Sequence, residues 1–179
     1  MDDQIWFTEM FGRHYSTICR FVGYKSVGLD VEDVAADVFL LAWNKRDTVR
    51  DRENPLPWLL KVASNHVSNR VRAKRTQNGY VAEHGPPLVA QTTPDHAERV
   101  VRGMRFDDAL AKLPEQDRIT IFLLVHCDLT QTEAAKVMGC SRLAMTMRVK
   151  RLRDQALRHS RGADHDRHPL IELVGGREW

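Results

Sequence analysis

The stretch Asp128-Leu-Thr-Gln-Thr-Glu-Ala-Ala-Lys-Val-Met-Gly-Cys-Ser-Arg142 decides how the C-terminal part of this chain folds. Thr130 and Glu133 have the spacing of a capping box, in which each satisfies an orphan amide donor at the start of a helix. Gly139 offers the left-handed backbone that ends that helix and turns the chain. Ser141 can cap the helix that follows. That helix carries Arg142, Arg148, Lys150, Arg151, Arg153 and Arg158 against a lone Asp154. A short helix, a glycine turn and a capped basic helix together present a helix end to the major groove of DNA. A helical hairpin with a solvated, charged face would share the pattern.

Upstream, Ile119, Ile121, Phe122, Leu123, Leu124 and Val125 read as a buried helix of a small bundle, separated by Leu113-Pro114 from a helical pattern that begins near Pro94. Residues 76–93 hold Gln77-Asn-Gly, Gly85-Pro-Pro and Thr92-Thr-Pro94 at their breaks and lack periodicity, as a linker does. The N-terminal part reads as three helices. Phe7, Phe11, Ile18 and Val22 recur at helical spacing in the first, which the loop at 23–28 ends. Asp30 caps the second, with Glu32 and Asp33 in its first turn, where acids suit the dipole. A polar loop follows at 46–53. Asn54 caps the third, with Pro55 and Pro57 where no amide donor is needed. Trp58, Leu59, Val62, Ala63, His66 and Val67 form its buried stripe, and its end is basic. Trp43 and Trp58 both sit on apolar stripes, so they read as core.

The expectation is therefore an all-α protein of two small helical domains, at 1–75 and 94–161, with a linker at 76–93 and a tail at 162–179. The net charge of +3 over 179 residues is mild, but the positive charge is clustered near 70–75 and 142–161. Cys19, Cys127 and Cys140 are odd in number and lack metal-ligand spacing, as expected of reduced thiols in a cytoplasmic protein without metal or cofactor. No apolar run approaches the ~20 residues that span a bilayer, so no membrane insertion is expected. The start, Met-Asp-Asp-Gln, is acidic, so no secretory signal is expected. The candidate catalytic cluster, His159, His165, Asp166 and His168, sits in a polar stretch without a glycine cradle or a nucleophile motif. No catalytic residue is assigned.

Two segments together resemble a known family. Asp33-Val-Ala-Ala-Asp37-Val-Phe39-Leu-Leu-Ala-Trp43 and Pro55-Leu-Pro-Trp58-Leu-Leu-Lys-Val-Ala63-Ser-Asn65 resemble region 2 of bacterial RNA polymerase sigma factors. Ala109-Leu-Ala-Lys-Leu-Pro114 with Arg118, and then residues 130–153, resemble region 4. With only these two regions joined by a linker, the chain resembles the extracytoplasmic-function group of the sigma-70 family. The resemblance covers most of residues 5–160.

The resemblance implies a promoter-specificity subunit that binds core RNA polymerase and promoter DNA and is often held by an anti-sigma factor. The second helix would dock on the polymerase through Asp33, Asp37, Leu40 and Asn44, which share one face by spacing; the alternative is that Leu40 is core and the acids are simply solvated. Ala36 stands where the family usually has glutamine. The third helix would read the −10 element through Asn65 and Asn69, one turn apart, with Arg72, Lys74 and Arg75 on phosphates. Loop residues Arg46, Asp47, Thr48 and Arg50 are candidates for the pocket of a flipped base. Asn65 could equally serve a local backbone hydrogen bond.

The last helix would read the −35 element, with Met145, Val149, Leu152 and Ala156 packed inward. Ser141, Arg142, Leu143, Thr146, Met147 and Lys150 would then lie nearest DNA, and Arg148, Arg151 and Arg153 towards phosphates or the domain's own acids. The group commonly shows Gly-Thr-Val-Lys-Ser-Arg in this helix, where this chain has Leu143-Ala-Met-Thr-Met-Arg148. A stand-alone helix-turn-helix regulator would account for residues 128–158. It would leave the acidic face of the second helix and the basic end of the third unexplained.

Overall fold

The computed structural model describes residues 2–25, 28–77 and 113–162, and within them every side chain except those of 75, 77 and 156–162. All regular structure among these residues is helical. The chain divides into two compact units, residues 1–92 and 93–179.

In the first unit, α1 (Asp3–Lys25), α2 (Val31–Asn44) and α4 (Leu56–Gln77) each pack on the other two. Their apolar stripes meet in a core of Ile18, Phe21, Val22, Val34, Val38, Leu59, Leu60 and Val67, all at most 1% exposed. Full burial of such side chains contributes about 1.5–3 kcal/mol each. Asp30 caps α2 by accepting from the amide of Asp33 at 3.0 Å. The side-chain carbonyl of Asn54 accepts from the amide of Leu56 at 3.1 Å where α4 begins. Gly28, at φ +81°, takes the left-handed turn into α2.

The first helix departs from the stripe read in its sequence. Phe7 is half-buried and Phe11 exposed, because both lie at the rim of an aromatic cluster rather than in the core. Phe7 meets Trp43 edge-on at 5.2 Å, and Phe11 stacks on Tyr15 at 4.7 Å and leans on Phe39 at 4.8 Å. Trp43 belongs to this cluster and, like Trp58, is half-buried.

A second departure lies at residues 46–53, where a loop is expected. Arg46–Arg50 forms a short helix, α3. Five residues cannot sustain a helix alone. This one is pinned by Val49, buried to 1%, and by Asp3, whose carboxylate takes Arg46 Nε at 2.9 Å and an Arg50 nitrogen at 2.8 Å. Arg46 also lies over the Trp43 ring at 5.2 Å.

In the second unit, Pro114 precedes α5 (Glu115–Ile121), which runs on into a π-helical turn, Phe122–His126. That turn closes through the amide of Cys127 on the carbonyl of Phe122, at 3.0 Å. The chain then enters α6 (Gln131–Met138) and α7 (Arg142–Gly162), which pack on one another. Ile119, Ile121, Phe122, Leu123, Ala134, Val137 and Met145 are at most 2% exposed. Cys19 and Cys127 are buried and Cys140 half-buried, and all three are free thiols. The segments at 78–112 and 163–179, and the side chain of His159, fall outside the described residues. The linker, the helical pattern near Pro94 and the histidine cluster therefore have no structural account.

Candidate functional site

The helix-turn-helix is built as its residue types require. The Thr130 hydroxyl accepts from the Glu133 amide at 3.2 Å, and the Glu133 carboxylate accepts from the Thr130 amide at 2.9 Å, which completes the capping box. Gly139 ends α6 at φ 68°, in the left-handed region. Ser141 Oγ accepts from the Ala144 amide at 3.1 Å and so caps α7.

Met145, Val149 and Leu152 turn inward from α7, at 0%, 7% and 4% exposure. On its outer side Arg142, Leu143, Thr146, Met147 and Lys150 are all exposed. The Thr146 hydroxyl donates to Gln131 Oε1 at 2.9 Å across the turn.

Two arginines of α7 do not face outward into free solvent. Arg148 donates to Gln116 Oε1 at 2.7 Å and Arg151 to Asp117 Oδ1 at 2.7 Å, both on α5. Asp117 is buried, in the first turn of α5, where the helix dipole also favours its charge. Arg148 and Arg151 thus brace α7 against α5. Gln116 and Asp117 carry the other half of this brace, which the sequence reading missed. Only an acid in a first helical turn, one face away from a basic helix, hints at it. Arg118 folds back on its own helix start and donates to the carbonyl of Leu113 at 3.4 Å.

In the first unit, Asn65, Asn69, Arg72 and Lys74 are exposed along α4. Lys74 Nζ donates to the carbonyl of Gly28 at 2.6 Å, which ties the end of α4 to the turn before α2. Arg75 is in α4, but its side chain is outside the described set. Asp47 and Thr48 are exposed on α3, whereas Arg46 and Arg50 are engaged by Asp3.

The face proposed for polymerase, Asp33, Asp37, Leu40 and Asn44, has Leu40 59% exposed and Asn44 exposed. Its two acids are not simply solvated. Arg70, from α4, places one guanidinium nitrogen on each of Asp33 and Asp37 at 2.5 Å. The hydrogen bond to Asp33, opposed by burial and aided by the bond to Asp37, raises the Arg70 pKa further above its ordinary value. His66 Nδ1 lies 3.6 Å from Asp37, so His66 is half-buried at this junction rather than part of the apolar stripe. No group of three or more metal-ligating side chains converges among the described residues, and none of the described helices is long and apolar enough to cross a membrane.

A helical unit built on α1, α2 and α4, followed by a helix-turn-helix with a braced, basic second helix, has the architecture of a two-unit DNA-binding protein. Residues 10–77 match the Sigma-70 region 2 family. The chain is 30% identical over 158 residues to the ECF RNA polymerase sigma factor SigL of Mycobacterium tuberculosis, covering 83% of this chain and 88% of SigL. It is 29% identical over 160 residues to the RNA polymerase sigma factor CnrH of Cupriavidus metallidurans, covering 82% of each. The solved structure of CnrH in complex with the cytosolic domain of CnrY matches at a TM-score of 0.51 and 25% identity, over 88% of this chain and 90% of CnrH. The sigma factor RpoE of Bartonella quintana, solved with the anti-sigma factor NepR, shares the fold at a TM-score of 0.62 and 21% identity, over 96% and 98% of the two chains. The chain belongs to the extracytoplasmic-function group of sigma-70-family RNA polymerase sigma factors.

Proposed function

We propose that this sigma factor acts in the cytoplasm, docks on core polymerase through α2, reads the −10 element with α3 and α4, and reads the −35 element with α7. Leu40 and Asn44 supply the exposed part of the docking face, and Asp33 and Asp37 its charge. Asn65 and Asn69 face the unpaired strand, with Arg72, Lys74 and Arg75 on its phosphates. At −35, Arg142, Leu143, Met147 and Lys150 meet the duplex, Ser141 and Thr146 set the entry of α7, and Arg148 and Arg151 hold its angle.

The observation that carries this reading is α7. Its inward stripe is buried, its start is capped, and its outer side presents Arg142, Leu143, Met147 and Lys150 to solvent. Such a helix offers phosphate and base-edge contacts together. Because RpoE and CnrH were each solved with a protein bound, a protein inhibitor of the anti-sigma kind is proposed for this chain also. The chain itself performs no chemistry; the polymerase does.

The test is to mix the purified chain with sigma-free bacterial core polymerase and map the transcription start sites. A complex that initiates at defined promoters, with Asn69→Ala impairing strand opening more than duplex binding, is the expected result. Tight duplex binding by the chain alone, with no complex, would replace this reading by a stand-alone regulator.

A further inference from the structure

Leu143 and Met147 are 72% and 60% exposed, larger fractions than for any other sizeable apolar side chain among the described residues. They are four residues apart, so they stack on one face of α7. At 3.6 residues per turn that face lies opposite the buried Met145, Val149 and Leu152, at the centre of the outer side. An exposed apolar pair at the centre of a basic helix face is a surface that a bound partner can cover with gain.

The neighbours narrow what that cover can be. Lys150 is exposed on the flank of the pair and Arg142 is exposed at the start of the helix, so the occupant carries negative charge around an apolar spot. Asp154, seven residues beyond Met147 on the same side, marks where the face stops suiting an anion. The side chains nearest the pair that could read bases are partly engaged elsewhere. Thr146 donates to Gln131, and Arg148 donates to Gln116. Within duplex DNA, the apolar group exposed in the major groove among phosphates is the thymine 5-methyl.

We propose that Leu143 and Met147 are specificity-determining residues that read thymine methyl groups in the −35 element of this factor's promoters. This rests on the assignment of α7 to the −35 duplex. Recognition there is then partly apolar: Arg142 and Lys150 place the helix on the backbone, and the leucine and methionine select thymines over cytosines, which lack the methyl.

The experiment uses holoenzyme assembled from the full chain and core polymerase, on synthetic promoters whose −35 sequence comes from start-site mapping. Thymines in the −35 element alone are replaced by deoxyuridine, which removes the methyl and leaves the base-pairing edge unchanged. The unmodified holoenzyme should bind each such promoter about fourfold more weakly per contacted thymine, the effect of losing one buried methyl-sized group. Leu143→Ala and Met147→Ala, both at exposed positions, should each weaken binding to the thymine promoter and shrink the deoxyuridine penalty, and the double variant should bind the thymine and deoxyuridine promoters alike. Holoenzyme that requires the −35 sequence but ignores deoxyuridine overturns this proposal and leaves the −35 assignment standing. Variants that weaken binding equally on both promoters overturn it too. So do variants that leave promoter use intact, in which case the pair is a protein-docking site. Promoter use independent of any −35 sequence overturns the assignment and the proposal together.

Discussion

Arg70 of α4 and Asp37 of α2 are joined across the helix interface, and the same guanidinium reaches Asp33 one turn earlier on α2. The arginine stands between the face assigned to polymerase and the helix assigned to the −10 strand. Partly exposed pairs of this kind are worth little singly, but a shared fork constrains how two helices lie. Arg70→Ala should lower the stability of the first unit by about 1 kcal/mol in denaturant unfolding. Arg70→Lys should recover only part of that, since a point charge cannot serve two carboxylates as a planar fork does. Full recovery by lysine would mean that geometry is immaterial here.

Asp117 is a buried acid of the second unit, and Arg151 is its partner. Arg151→Ala leaves a carboxylate out of water with its charged donor gone. A loss of about 1–3 kcal/mol in thermal or denaturant unfolding is expected. The double variant Arg151→Ala with Asp117→Leu should lose less than Arg151→Ala alone, because no charge is then stranded.

The turn chemistry of the helix-turn-helix makes a separate demand. Thr130→Ala removes one acceptor of the capping box and should cost about 1 kcal/mol. Gly139→Ala forces a side chain into the left-handed region at φ 68° and should cost about 1–2 kcal/mol. Circular dichroism melts of both variants check this. A neutral Gly139→Ala would show that the turn can relax.

How much of this was legible in the sequence differs between the two ends of the chain. The capping box, Gly139 and Ser141 act within a few residues of themselves, so residue type and spacing suffice to place them. The fork of Arg70 on Asp33 and Asp37 joins residues more than thirty positions apart. Spacing shows that the two acids share a face, but not which helix covers it. The same holds for Arg148 and Arg151, whose partners on α5 could not be read from α7. Helix α3 is the clearest miss. Its five residues have no periodicity to detect, and Asp3, which holds it, is the first residue of a different helix. Phe11 departs the other way: its spacing is that of a core residue, but it lies on the outer side of a ring cluster, stacked on the half-buried Tyr15 and leaning on the buried Phe39.

His14 sets a pH response. It is buried in α1, and burial first, then the nearby Arg13 charge, lower its pKa from the ordinary 6.5. The folded chain therefore holds the imidazole neutral where the unfolded chain would protonate it. The contribution is complete above about pH 6.5 and is lost as pH falls from there towards the lower folded value. Unfolding free energies measured across that range should decline more steeply for the parent than for His14→Gln. Identical slopes would count against burial as the cause.

The brace between α5 and α7 also bears on how many counterions the protein displaces from DNA. Arg142, Arg148, Lys150, Arg151 and Arg153 are the cations of α7 whose side chains are described, and two of them already lie on Gln116 and Asp117. A cation that stays on an internal partner neutralises no phosphate and releases no ion. The slope of log affinity against log salt for this domain should thus be shallower than its arginine count suggests. Part of the positive charge of the helix serves as scaffolding and adds little to adhesion.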